Sequence, residues 1–155
     1  MQDKSVLEVI ETAIQREEEA YLFYMDIHAK VGDPGARETI AFIAQEEKKH
    51  KAFLVDYRDG RFGGQSLRKS DVVAYHIAEN LEEPEVAEGM KPQDVFLVAA
   101  HRENRAHQFY TELAAMHADG DVHDILLKMA NEELKHKEKM EYLYANTAFP
   151  QTDGG

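Results

Sequence analysis

Glu47-Lys48-Lys49-His50 and Glu133-Leu134-Lys135-His136 each set a carboxylate and an imidazole three residues apart. On a helix this spacing brings both side chains to one face, about one turn apart. Together they offer oxygen and nitrogen donors suited to a divalent cation such as Fe(II), Mn(II) or Zn(II). Glutamate is so common in this chain that one Glu-x-x-His would carry little weight. Two copies carry more, because they belong to a longer repeat. AQEEKKHK at 44–51 aligns with ANEELKHK at 130–137. At the same offset, AIQREEEAYLFY at 13–24 aligns without a gap with AAHRENRAHQFY at 99–110. The second alignment pairs Glu17 with Glu103 and Tyr24 with Tyr110. Each copy of the repeat therefore supplies a lone glutamate followed by a Glu-x-x-His.

These donors must be carried by helices. In the first predicted helix Val6, Ile10, Ala13, Tyr24, Ile27 and Val31 form one apolar stripe, and Glu17 lies on it while Glu18 and Glu19 flank it. Ser5 with Glu8 has the pattern of a capping box, and the helix stops near Gly32. Asp33-Pro34 opens a second helix as cap and first-turn proline. Its stripe of Ile40, Ile43, Leu54 and Tyr57 is interrupted by Glu47 and His50, and Asp59-Gly60 ends it. A third helix opens at Pro92 with Phe96, Ala99, Glu103, Tyr110 and Leu113 on one face. After a turn at Asp119-Gly120-Asp121, a fourth carries Val122, Leu126, Met129, Glu133, His136, Met140 and Leu143.

Helices of about 25 residues are roughly 37 Å long, so a return from one end to the other needs a long link. Only residues 59–91 can provide it, with a short helix expected over 71–80 capped by Ser70 or Asp71. The links at 32–34 and 118–121 suit hairpins. The expected fold is all-α: a four-helix bundle over about residues 5–146, made of two helical hairpins and one long crossover. The tail at 147–155 is expected to fray, with Phe149 as a docking candidate.

In such a bundle four glutamates and two histidines face one core. Burying that many carboxylates without counter-charge is costly. Two divalent cations would balance the four negative charges. A glutamate from each of two helices plus Glu-x-x-His from each of the others is the known ligand pattern of di-iron and di-manganese bundles. Applied here, it assigns Glu17, Glu47, His50, Glu103, Glu133 and His136 as metal ligands, iron first, with manganese or zinc as alternatives.

With those residues identified, the chain resembles the rubrerythrin-like branch of the ferritin-like superfamily over about residues 5–146. The marks are Glu-x6-Tyr in the first and third helices and Glu-x-x-His in the second and fourth. The resemblance implies a single ferritin-like domain spanning 1–155, a non-haem di-iron centre and often a homodimer. It also implies reduction of hydrogen peroxide, or oxidation of Fe(II) by peroxide or oxygen. The same six residues occupy the family's ligand positions.

Two departures matter. Full-length rubrerythrins carry a rubredoxin module with a four-cysteine iron site, whereas this chain has no cysteine. An external electron-transfer protein is then the expected donor. The family also has a glutamate three residues after the third-helix ligand, where this chain has Ala106. His107 follows, one turn beyond Glu103, and its repeat mate is Tyr21. His107 and Tyr21 are candidates to line a small-molecule pocket, with His107 a candidate ligand or proton donor. Tyr24 and Tyr110 are candidates to hydrogen-bond metal-bound carboxylates. The alternatives to a peroxidase are a metal-handling protein without redox turnover and a structural bundle with a vestigial site.

Composition narrows the partners. A formal net charge of −12 makes nucleic acid and anionic membranes unexpected. The 43% hydrophobic fraction is enough for one core. Residues 1–16 are charged and lack a signal-like apolar run, which favours the cytoplasm.

Overall fold

The computed structural model describes residues 4–60, 76–117 and 120–148; these contain five helices and no strand. In chain order they are α1 (Lys4–Lys30), α2 (Pro34–Arg58), α3 (Ile77–Asn80), α4 (Pro92–Ala115) and α5 (Asp121–Ala148). They fall into two compact units, Met1–Ala29 with Arg37–Ser66, and Lys30–Ala36 with Leu67–Gly155. No described helix is long and apolar enough to cross a membrane.

In the first unit α1 and α2 run antiparallel. Glu11 pairs with Arg58 at 2.9 Å and Glu18 with Lys51 at 2.8 Å, so the register descends along one helix as it rises along the other. The predicted stripes are the buried ones: Ile10, Ala13, Tyr24 and Ile27 on α1, and Ile40, Ile43 and Leu54 on α2, are fully buried. Each such isoleucine or leucine side chain contributes about 1.5–3 kcal/mol when removed from water. Tyr57, placed on the stripe by its spacing, is only half-buried.

In the second unit α4 and α5 form the matching antiparallel hairpin, and α3 packs on α4. Proline at the first turn of α4 needs no hydrogen-bond partner for its nitrogen, and Lys91 precedes it in an extended conformation. Beyond the predicted stripe, every residue from Val95 to Ala100 is buried. This part of α4 is covered on more than one side, which a one-face periodicity does not anticipate. Leu113, Val122 and Leu143 are half-buried rather than core.

The hairpin turns use distinct devices. Asp33 Oδ2 accepts the Ala36 N–H at 2.9 Å, capping α2 as its sequence predicts. At the other hairpin His123 Nδ1 donates to the Ala114 carbonyl at 2.7 Å, serving the last turn of α4. Gly89 has φ 71, a left-handed conformation natural to glycine, and its N–H donates to the Lys30 carbonyl at 3.0 Å.

Three expectations need correction or restriction. Of the helix expected across 71–80, the described part is helical only from Ile77; His76 before it has a left-handed φ of 53. Residues 71–75, the caps Ser70 and Asp71, the GRFGG turn beyond Gly60 and the Ser5 side chain lie outside the described residues. The last helix runs through Ala148, two residues into the expected tail, while Phe149 is also outside the described residues.

Arg105 clamps Glu83 with two bonds of 2.7 and 3.0 Å. The hydrogen bond from Arg105 outweighs partial burial and holds the Glu83 carboxyl below its ordinary pKa. A depressed carboxylate stabilises the fold above its unfolded pKa and loses that contribution as pH falls through the folded value. Because the pair is partly solvated, Glu83→Gln is expected to cost less than about 1 kcal/mol near neutral pH. Urea unfolding at neutral pH and at pH values below the carboxylate range should show the difference from wild type vanishing in acid.

Candidate metal centre

Eight polar side chains are buried among the described residues, and the six predicted ligands are among them. Glu17, Glu47 and His50 are 2%, 2% and 5% exposed; Glu103, Glu133 and His136 are 1%, 0% and 6% exposed. Every one comes from a helix interior, at least two turns from either end. Glu18 pairs with Lys51 at the surface and Glu19 is exposed, so the stripe singles out the buried glutamate of the three.

Each unit holds its own triad. In the first, His50 Nδ1 lies 3.8 Å from Glu17 Oε2 and 3.7 Å from Glu47 Oε1. In the second, His136 Nδ1 lies 3.7 Å from Glu103 Oε2 and 4.0 Å from Glu133 Oε2. Within each triad the donor atoms lie within 4.8 Å of one another. Two donors, each about 2.0–2.2 Å from a shared cation, stand roughly 3–4 Å apart. The triads therefore have the spacing of ligand sets, and their two carboxylates would neutralise one divalent charge.

The repeat recurs in detail. Glu46 pairs with Lys49 at 3.3 Å, and Glu132 pairs with Lys135 at 3.2 Å. Phe23 meets Tyr24 edge-on at 5.4 Å and 74°, and Phe109 meets Tyr110 at 5.1 Å and 73°. The aligned stretches thus encode two hairpins of one internal geometry, each burying two carboxylates and an imidazole.

Residues 1–57 match the family model described as Rubrerythrin. The match covers the first copy of the repeat and little more than a third of the 155 residues. The matched stretch spans α1 and nearly all of α2, and so contains the whole first triad. No curated protein matches this chain. A hypothetical protein from Pyrococcus furiosus has a similar solved structure, with a TM-score of 0.63 and 23% identity over 98% of this chain and 96% of that one. That likeness concerns the fold alone, which is all-α among the described residues.

Tyr24 and Tyr110 are fully buried. Tyr21 is half-buried, with Lys48 Nζ 5.7 Å from its ring centroid. His107 is half-buried and its Nδ1 lies 2.9 Å from the Ala130 carbonyl oxygen. A carbonyl only accepts, so Nδ1 carries a proton and donates it to Ala130.

Three residues escaped the sequence reading. Glu132 offers a carboxylate oxygen within 4.8 Å of a His136 nitrogen. Lys137 and Glu141 are the remaining two buried polar residues. Their Lys-x-x-x-Glu spacing is visible in the sequence, but it is also the spacing of ordinary exposed helix pairs. The sharper signal is departure from the repeat: Glu141 stands where the first copy has Val55.

Proposed function

We propose that this chain is a di-iron protein that reduces hydrogen peroxide with electrons from a separate donor. Glu17, Glu47 and His50 serve one cation; Glu103, Glu133 and His136 serve the other. The observation that supports this most is the burial of two matching carboxylate–imidazole triads, an arrangement that is costly without counter-charge. When held by these six residues, a pair of reduced irons would supply the two electrons that, with two protons, convert peroxide to two waters.

The protein's part is to hold and tune the donors. The carboxylates neutralise the cations and can shift between one- and two-oxygen coordination as charge changes. The imidazoles supply one neutral nitrogen to each cation. Tyr24 and Tyr110 orient carboxylates from within the core. Tyr21 and His107 line the approach, with Nε2 of His107 available to accept or return a proton. The 155 residues contain no cysteine, so no iron–thiolate electron relay can be built from them. The donor is therefore another protein or module.

Anaerobic loading with Fe(II), followed by stopped-flow mixing with peroxide, tests this reading. Oxidation much faster than that of free Fe(II) under matched conditions is expected. Tight Fe(II) binding without faster oxidation would point to metal handling instead. No binding would leave a structural bundle.

A further inference from the structure

The second half of α5 buries a charged cluster that the metal ligands do not explain. Lys137 is 4% exposed and Glu141 is 1% exposed. Lys137 Nζ stands 2.6 Å from Glu79 Oε1 and 3.2 Å from Glu141 Oε1. The other oxygen of Glu141 accepts the backbone N–H groups of Ile77 at 2.6 Å and Ala78 at 2.8 Å. Glu79 also meets His76 Nδ1 at 2.5 Å. One carboxylate thus joins a buried ammonium to the first two amides of α3, directly after the left-handed residue His76.

Generic stabilisation is a poor account of this cluster. Burying an ammonium costs several kcal/mol, and a buried ion pair often stabilises no more than apolar residues of equal volume. In some proteins such a pair instead fixes one geometry against alternatives. The repeat shows that the cluster is particular to α5. In the first hairpin the aligned lysine, Lys51, pairs with Glu18 at 2.8 Å, and both side chains are over one-third exposed or close to it, at 35% and 44%. In the second copy Asn104 stands where Glu18 would be and Glu141 where Val55 would be. The outward partner is removed and an inward one supplied, and the lysine follows. Burial pushes the Glu79 carboxyl upward, yet hydrogen bonds from Lys137 and His76 outweigh it and hold the pKa below the ordinary value.

Lys137 directly follows His136, and Glu141 lies little more than one turn beyond. We propose that Lys137 and Glu141 are positioning residues for the metal ligand His136: they tie α5 to the start of α3 and so fix the rotation and axial place of the turn that presents the imidazole. This rests on the reading of Glu103, Glu133 and His136 as ligands.

Co(II) is a suitable probe, because its d–d absorption reports ligand geometry independently of any activity. Lys137→Met and Glu141→Ala are expected to weaken Co(II) binding by about 10–100-fold, the usual effect of removing support behind a ligand, and to change the absorption bands. Lys51→Met, the matched change in the first hairpin, should leave both as in wild type. Hydrogen exchange at the Ile77 and Ala78 amides should accelerate in Glu141→Ala. Circular dichroism establishes that each variant is folded; if Glu141→Ala does not fold, Lys137→Met decides. Wild-type affinity and spectrum in folded Lys137→Met would overturn the positioning role and leave the metal reading intact. Failure of the wild-type chain to bind Co(II) would overturn both.

Discussion

Metal-free protein titrated with Zn(II) to a free concentration about 1,000 times Kd should melt roughly 8–16 °C higher than before. One cation that binds only the folded chain then contributes about 4 kcal/mol. For a chain of this length each kcal/mol moves the midpoint by about 2–4 °C. The gain should shrink on acidification, because protons compete for carboxylate and imidazole donors. Glu47→Ala and Glu133→Ala should each remove most of the gain from one triad, and metal analysis should show a lowered ion-to-protein ratio. Glu18→Ala should change neither, since Glu18 sits at the surface on Lys51. Equal melting of loaded and metal-free wild type at several pH values would exclude a structurally coupled site.

Truncation of the paired tyrosines should have the next largest effect. Tyr24 is 0% exposed and Tyr110 is 1% exposed, and each meets the preceding phenylalanine edge-on. Tyr24→Ala and Tyr110→Ala are each expected to destabilise by about 3–5 kcal/mol, from lost burial plus the cavity left behind. Total stability is commonly only about 5–15 kcal/mol, so either change takes a large share. Tyr→Phe at the same positions isolates the hydroxyl. If the hydroxyls orient ligand carboxylates, the Phe variants should remain folded while metal affinity falls. Denaturant unfolding and Co(II) titration of all four variants provide the comparison. Alanine variants as stable as wild type would show that these rings do not anchor the core.

The burial of the six candidate donors was legible because two signals agreed. Helical periodicity put Glu17, Glu47, Glu103 and Glu133 where apolar residues belong, and the repeat made coincidence an inadequate explanation. The caps at Asp33 and Pro92 were equally local, each depending on a few adjacent residues. Lys137 and Glu141 were not legible, because a charged pair four residues apart normally marks a solvated helix face. Only the return of the chain at Ile77 and Ala78, 64 and 63 residues before Glu141 in sequence, turns that face inward. The left-handed His76 was hidden for the same reason: local propensity favours helix at that position, while Glu141 holds the start of α3 from outside the segment. Val95–Ala100 reads as a plain apolar run, and which sides of it are covered depends on packing far along the chain.

The mid-helix origin of all six donors bears on how a cation would leave. Helices open most readily from their ends, where lost backbone bonds are few and water is near. Fraying of that kind stops well short of Glu17, Glu47, Glu103 and Glu133. Escape must instead wait for side-chain rotation inside an intact hairpin or for the rarer opening of the hairpin as a unit. Dissociation would then be slow for a reason separate from affinity, and it would quicken steeply with temperature as large-scale opening does.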